Sequence, residues 1–197
     1  MPERQRVATT VEDLELVALA RQGDVQAFEA LVRRYRNDVY ALCFYFTHSR
    51  EDAWDLSQEV FIKAYRALGA FRGEAGFKTW LLRIAANQSK DHLKKRRLQT
   101  TSYEDTWQPP DAEAGLAPDE AAEANEIGVA IEAAVNRLPA KHRLAFILRE
   151  YKGLSYQEMA EVMNCSVGTV MSRLFHARKR LQQMLGPLGL MENTRHV

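Results

Sequence analysis

Between Thr100 and Asn136 the chain carries no lysine or arginine, while Glu104, Asp105, Asp111, Glu113, Asp119, Glu120, Glu123 and Glu126 all fall inside the stretch. Its first part, residues 100–118, also holds Pro109, Pro110, Gly115 and Pro118 and has no helical periodicity. A segment with one sign of charge and repeated prolines cannot bury enough apolar surface to offset the entropy of ordering, so it reads as a tether. The chain is therefore expected to form two lobes with separate cores: the first over residues 10–98, the tether over 99–118, the second over 119–186, and a frayed tail over 187–197. With 197 residues and 46% hydrophobic content, there is material for two small domains.

Both lobes read as all-α, because alternation of the strand type is sustained nowhere and apolar residues recur at three and four. A first helix is expected over residues 11–22, with Thr10 as its cap and Gly23 as its stop. Asp24 then caps a long helix with Phe28, Leu31, Val32, Tyr35, Val39, Leu42 and Phe46 on its inner stripe. Ser49, with Asp52 at its third helical position, opens another whose buried side is Ala53, Leu56, Val60, Phe61, Ala64 and Leu68. In the second lobe Ile127, Ile131, Val135 and Leu138 share a face, Pro139 interrupts, and Leu144, Ile147, Leu148 and Tyr151 supply the next helix.

Two segments have the chemistry of nucleic-acid contact. Residues 71–97 begin with a loop containing Gly73 and Gly76 and continue into a helix with Phe77, Trp80, Leu81, Ile84 and Ala85 on one face. Arg83, Lys90, Lys94, Lys95, Arg96 and Arg97 thicken toward its end. Flat rings that stack on any base, beside cations that hold a phosphate backbone, are what single-strand binding requires. Residues 154–163 and 167–181, joined by Asn164, Cys165 and Ser166, have the length and punctuation of a helix-turn-helix. Ser155 with Glu158 forms a capping box, Leu154 can staple onto Met159, and Ser166 caps the second helix, with Cys165 and Val170 in the staple positions. Gly168, Thr169, Ser172 and Arg173 then lie near the exposed leading end, where a recognition helix meets the major groove, and His176, Arg178 and Lys179 follow toward phosphates.

Charge is segregated. The formal net charge is only +1, which argues against a protein that coats nucleic acid indiscriminately. Glu51, Asp52, Asp55, Gln58 and Glu59 make the outer side of the third helix acidic, and an acidic face on a phosphate-binding protein suggests a protein partner docking away from DNA. No signal peptide and no apolar run of roughly 20 residues is visible, so a cytoplasmic protein without membrane insertion is expected. Cys43 and Cys165 are far apart and have no metal-ligand partners at useful spacing, so two reduced thiols, no metal and no cofactor are expected.

The run from Gln58 to Arg66, then Phe71-Arg72-Gly73, Thr79-Trp80-Leu81 and Arg83-Ile84-Ala85-Ala86-Asn87, resembles the second conserved region of extracytoplasmic-function (ECF) sigma factors, within the sigma-70 family. Leu138-Pro139, Gly153-Leu154-Ser155-Tyr156 with Glu158, Val167-Gly168-Thr169-Val170, Ser172-Arg173 and Ala177-Arg178 resemble that group's fourth region. The resemblance implies a factor that binds core RNA polymerase, directs it to promoters and helps open the −10 element. It puts Asp52, Asp55, Gln58, Glu59 and Phe61 against the polymerase clamp helices. It puts Phe71, Arg72, Gly73, Phe77, Lys78, Trp80, Arg83, Asn87, Lys90 and Lys94 at the −10 DNA, with an extruded base held by the 71–77 loop and Asn87. Ser166, Gly168, Thr169, Ser172, Arg173, His176, Arg178 and Lys179 fall at the −35 duplex. By the same resemblance the tether threads polymerase channels and an anti-sigma factor holds the protein inactive. Met171 and His176 depart from the group's common pattern by removing fixed cations.

The residues leave two rival classes. A helix-turn-helix regulator would bind duplex operators without polymerase, but would not account for the acidic third helix beside the aromatic and basic one. An enzyme would need a nucleophile elbow or a phosphate-binding loop of the G-x-x-x-x-G-K-[ST] kind, and the chain has neither, while its histidines are scattered.

Overall fold

The computed structural model describes residues 2–99 and 122–186, with side chains over 12–95 and 128–186. The tether at 100–118, the expected lobe start at Asp119 and the tail at 187–197 lie outside the described residues. Helix α1 spans Pro2–Arg21, α2 Val25–Thr47, α3 Arg50–Ala67 and α4 Phe77–Gln99. Helix α5 spans Ala122–Asn136, α6 Ala140–Phe146, α7 Tyr156–Met163 and α8 Val167–Leu185. Among the described residues there is no strand. By contact, α1 to α4 gather with residues 157–164 into one compact unit, and α5, α6 and α8 into a second.

In the first unit α2 is the central helix and packs on α1, α3 and α4. Asp24 caps it as its sequence demands, accepting from the backbone N–H groups of Gln26 and Ala27 at 2.9 and 3.2 Å. Leu31, Tyr35, Val39, Leu42 and Phe46 are buried, whereas Phe28 and Val32 are only half-buried at the stripe's edge. Ser49 caps α3 by accepting from the Asp52 N–H at 3.1 Å. Helix α1 starts earlier than Thr10 suggests, running from Pro2, a residue suited to a first helical turn because it has no N–H to leave unpaired. Gly23, at φ +96°, ends the α1 region as expected. Buried Asp13 fastens α1 to α2: it accepts from the Tyr35 hydroxyl and, at 2.6 Å, from Arg34 Nη1.

In the second unit Ala134, Val135 and Leu138 pack against Ala177, Leu181 and Leu185, with Ile131, Phe146 and Met184 at the margin. Pro139 begins α6, which continues into a wider π turn over Ile147–Tyr151. Leu144, Ile147 and Leu148 are buried, but Tyr151 is exposed rather than part of the core face. Burial lowers the Arg143 guanidinium to about 10, and its Nη1 donates to the Asn136 carbonyl at 3.0 Å.

Candidate nucleic-acid interface

Helix α4 begins immediately after a loop, 72–76, that is braced from beneath. Phe71, Phe77 and Trp80 are 4%, 1% and 8% exposed and form one aromatic cluster with ring centroids 5.2 to 5.8 Å apart. Their expected stacking on bases is therefore not available in this conformation. These rings spend their surface on each other and on Tyr35, 5.8 Å from Phe77, and so fix the loop's two ends. Gly73, at φ +73°, takes the left-handed conformation that other side chains resist, and a Cβ there would meet Leu14 at 3.6 Å. Gly76 has open space around it and accepts from the Trp80 N–H at 3.1 Å, starting the helix.

The loop's entry is held by a residue that sequence reasoning missed. Arg21, at the end of α1, donates from Nε to the Leu68 carbonyl at 3.0 Å and from Nη2 to the Phe71 carbonyl. Those carbonyls follow the C-terminus of α3, where backbone acceptors lack helical partners and a cation is favoured. A basic residue at a helix end is visible in sequence, but its target 47 residues away is not.

Beyond the loop, Arg83, Asn87, Lys90 and Lys94 recur at helical spacing and are all exposed, so they form one polar, basic stripe along α4. Lys78 is not among them: it pairs with Asp38 at 3.1 Å. Arg72 lies 4.0 Å from Glu74, both well exposed on the loop. The side chains of Arg96 and Arg97 lie outside the described residues.

The outer face of α3 is acidic, as expected, with Asp55, Gln58 and Glu59 exposed and Asp52 partly so. Phe61 is only half-buried, not a core residue. It lines a groove of about 590 Å³ between α2 and α3 together with Val32, Arg36, Tyr40, Trp54 and Gln58. Trp54, 60% exposed, is the largest unpredicted feature here. Its signal was an aromatic placed off the buried stripe of an acidic helix.

Ahead of α7, Arg149 Nη1 donates to the Leu154 carbonyl at 2.9 Å and its guanidinium lies 5.0 Å from the centre of the Tyr156 ring, which secures the entry to that helix. Leu154 and Met159 are both buried. Asn164 turns the chain at φ +49°, and Ser166 caps α8, accepting from the Thr169 N–H at 3.2 Å. The Ser166 and Thr169 hydroxyls lie 2.9 Å apart, so both are occupied in the cap. Val170, Leu174, Ala177 and Leu181 are buried, which turns Gly168, Ser172, His176 and Lys179 outward in a single stripe. Arg173 is half-buried, with Nη1 3.5 Å from Cys165 Sγ. Arg178 is ion-paired to Glu150 at 2.6 Å rather than standing ready for phosphate. Val167, Met171 and Phe175 form a second, apolar exposed stripe that the capping argument did not anticipate. Cys43 is buried, and burial pushes its thiol up to about 11.

Residues 31–99 match the family model for Sigma-70 region 2, and residues 128–181 match that for Sigma-70, region 4. The RNA polymerase sigma-H factor of Pseudomonas aeruginosa is 40% identical, over 91% of this chain and 97% of its own. This chain belongs to the ECF group of the sigma-70 family. The ECF RNA polymerase sigma-E factor of Escherichia coli strain K12 is likewise 40% identical, over 89% of this chain and 95% of its own. In fold, this sigma factor is similar to CnrH, solved in complex with the cytosolic domain of CnrY, at a TM-score of 0.67 and 26% identity over 89% of this chain and 98% of that one. It is also similar to the RpoE of Bartonella quintana, solved with the anti-sigma factor NepR, at 0.64 and 27% over 82% and 98%. The ECF sigma factor is thus a transcription initiation factor with two helical regions of the expected kinds, and the operator-binding regulator is set aside. Among the described residues no helix is long and apolar enough to cross a membrane.

Proposed function

We propose that the two exposed faces of the first unit divide the work of an ECF sigma factor between protein and DNA. Asp52, Asp55, Gln58 and Glu59 on α3, with Phe61 and Trp54 in the adjoining groove, meet core RNA polymerase. Arg83, Asn87, Lys90 and Lys94 on α4, with Arg72 and Gly73 in the loop, receive the opened −10 strand. Phe71, Phe77 and Trp80 hold that loop from below, and Lys78 acts through its pairing with Asp38. The observation that carries this reading is the separation of charge: α3 turns carboxylates outward while α4 turns cations and an amide outward. An acidic surface repels DNA and suits a basic protein partner, and a basic surface with a base-reading amide suits an unpaired strand.

In the same reading, residues 10–98 are the polymerase-binding and melting domain, 99–118 the tether, 119–186 the −35 domain and 187–197 a tail. The match of one family model across 128–181 supports treating α7 and α8 as a single duplex-reading region. There Ser172, Arg173, His176 and Lys179 face the −35 element, Gly168 permits close approach, and Ser166 and Thr169 set the helix end. The factor acts in the cytoplasm, performs no catalysis of its own and is restrained by an anti-sigma factor. CnrH and the Bartonella RpoE, each solved with a partner, support that last element. The test is reconstitution: the purified chain should comigrate with core polymerase and start transcripts at defined promoters. A folded chain that binds duplex DNA but not core polymerase would overturn the proposal.

A further inference from the structure

His142 opens α6 and His176 stands on the exposed side of α8, and their rings lie 5.8 Å apart at an interplanar angle of 25°, stacked. His142 Nδ1 is buried without a hydrogen-bond partner, so no neighbouring acceptor holds a proton on that edge of the ring. Burial, Arg180, His176 and Arg173 together hold the His142 imidazole below its ordinary value. On its own helix, Lys141 is exposed and the Arg143 guanidinium is turned to the Asn136 carbonyl. Glu132 and Arg137, on and just after α5, which also packs on α8, are exposed. Glu150, farther along the same helical run, is held by Arg178. His142 is thus set against His176 and beside the guanidiniums of Arg173 and Arg180. That arrangement disfavours a proton on His142 in the free protein and favours one as soon as an anion arrives.

We infer that His142 and His176 form one proton-linked contact for the phosphate backbone of duplex DNA, beside the residues of α8 that read bases. The inference rests on the proposed duplex reading by α8 and adds His142 to it. Its sign follows from linkage. A phosphate favours the protonated imidazoles, so binding takes up protons and affinity rises as pH falls through the range where histidine titrates. An arginine at the same place would give a contact of fixed strength.

The test uses holoenzyme and a duplex that it selects at about pH 8 from a pool randomised over the −35 region, with affinity then measured by anisotropy at constant salt. Between about pH 8 and pH 6 the parent should gain about fivefold, an order of magnitude set by partial coupling of two histidines. His176→Gln and His142→Gln should each flatten the profile, and His176→Arg should raise the affinity at the alkaline end and flatten it too. A flat parent, or a slope unchanged in both glutamine variants, overturns the inference. If His142→Gln loses helicity, His176→Gln, at an exposed site, decides alone. Failure to select any duplex overturns the duplex reading itself, and the inference with it.

Discussion

Asn87 is exposed on α4 four residues after Arg83, and its amide is able both to donate to and to accept from a base edge. Asn87→Ala should fold normally and leave holoenzyme binding to a duplex promoter intact, while reducing open complexes. A pre-melted template should restore only part of the loss. Equal permanganate reactivity of −10 thymines in variant and parent would remove Asn87 from the site. Arg173 poses the opposite problem, because it is half-buried beside Cys165 rather than fully presented. If it swings to make a bidentate base contact, Arg173→Ala should weaken −35 binding by about 1–3 kcal/mol in a footprinting titration. Unchanged affinity with lowered melting temperature would make it a structural residue of the turn. At this scale the sequence was most ambiguous for aromatics: Phe71, Phe77 and Trp80 suit a core and a base-stacking platform equally, since helical spacing reports a shared face but not what covers it.

Helices were legible where their determinants are local. Asp24, Ser49 and Ser166 each accept from the N–H groups their position in the chain brings within reach, so side-chain chemistry and spacing suffice to find them. Features made by distant partners were not legible. The Asp13–Tyr35–Arg34 network, the groove under Trp54 and the stacked His142 and His176 all join elements whose approach no periodicity reports. Arg21 belongs to this class and has consequences for a whole element, because it ties the end of α3 to the entry of the 72–76 loop. Arg21→Met should cost about 1.5–3 kcal/mol, the net value of a hydrogen bond from a charged donor. It should also speed trypsin cleavage after Arg72 in the exposed loop and lower open-complex formation without changing −35 affinity. Unchanged cleavage and unchanged opening would reduce Arg21 to a surface residue.

Across the molecule, a net charge of only +1 conceals a working distribution of sign, with carboxylates on α3, cations on α4 and α8, and acid alone between Thr100 and Asn136. Such partition lets one small chain meet a protein and a nucleic acid without either attraction defeating the other. The two regions read from the sequence agree in kind with the two family regions that match, over residues 31–99 and 128–181. The acidic face of α3 is the proposed polymerase-binding surface, and core-polymerase binding by Asp55→Lys combined with Glu59→Lys tests it. Both residues are exposed, so helicity should match the parent. This folded double variant should fail to comigrate with core polymerase. Normal binding by it would mean that core polymerase docks on another surface of the chain.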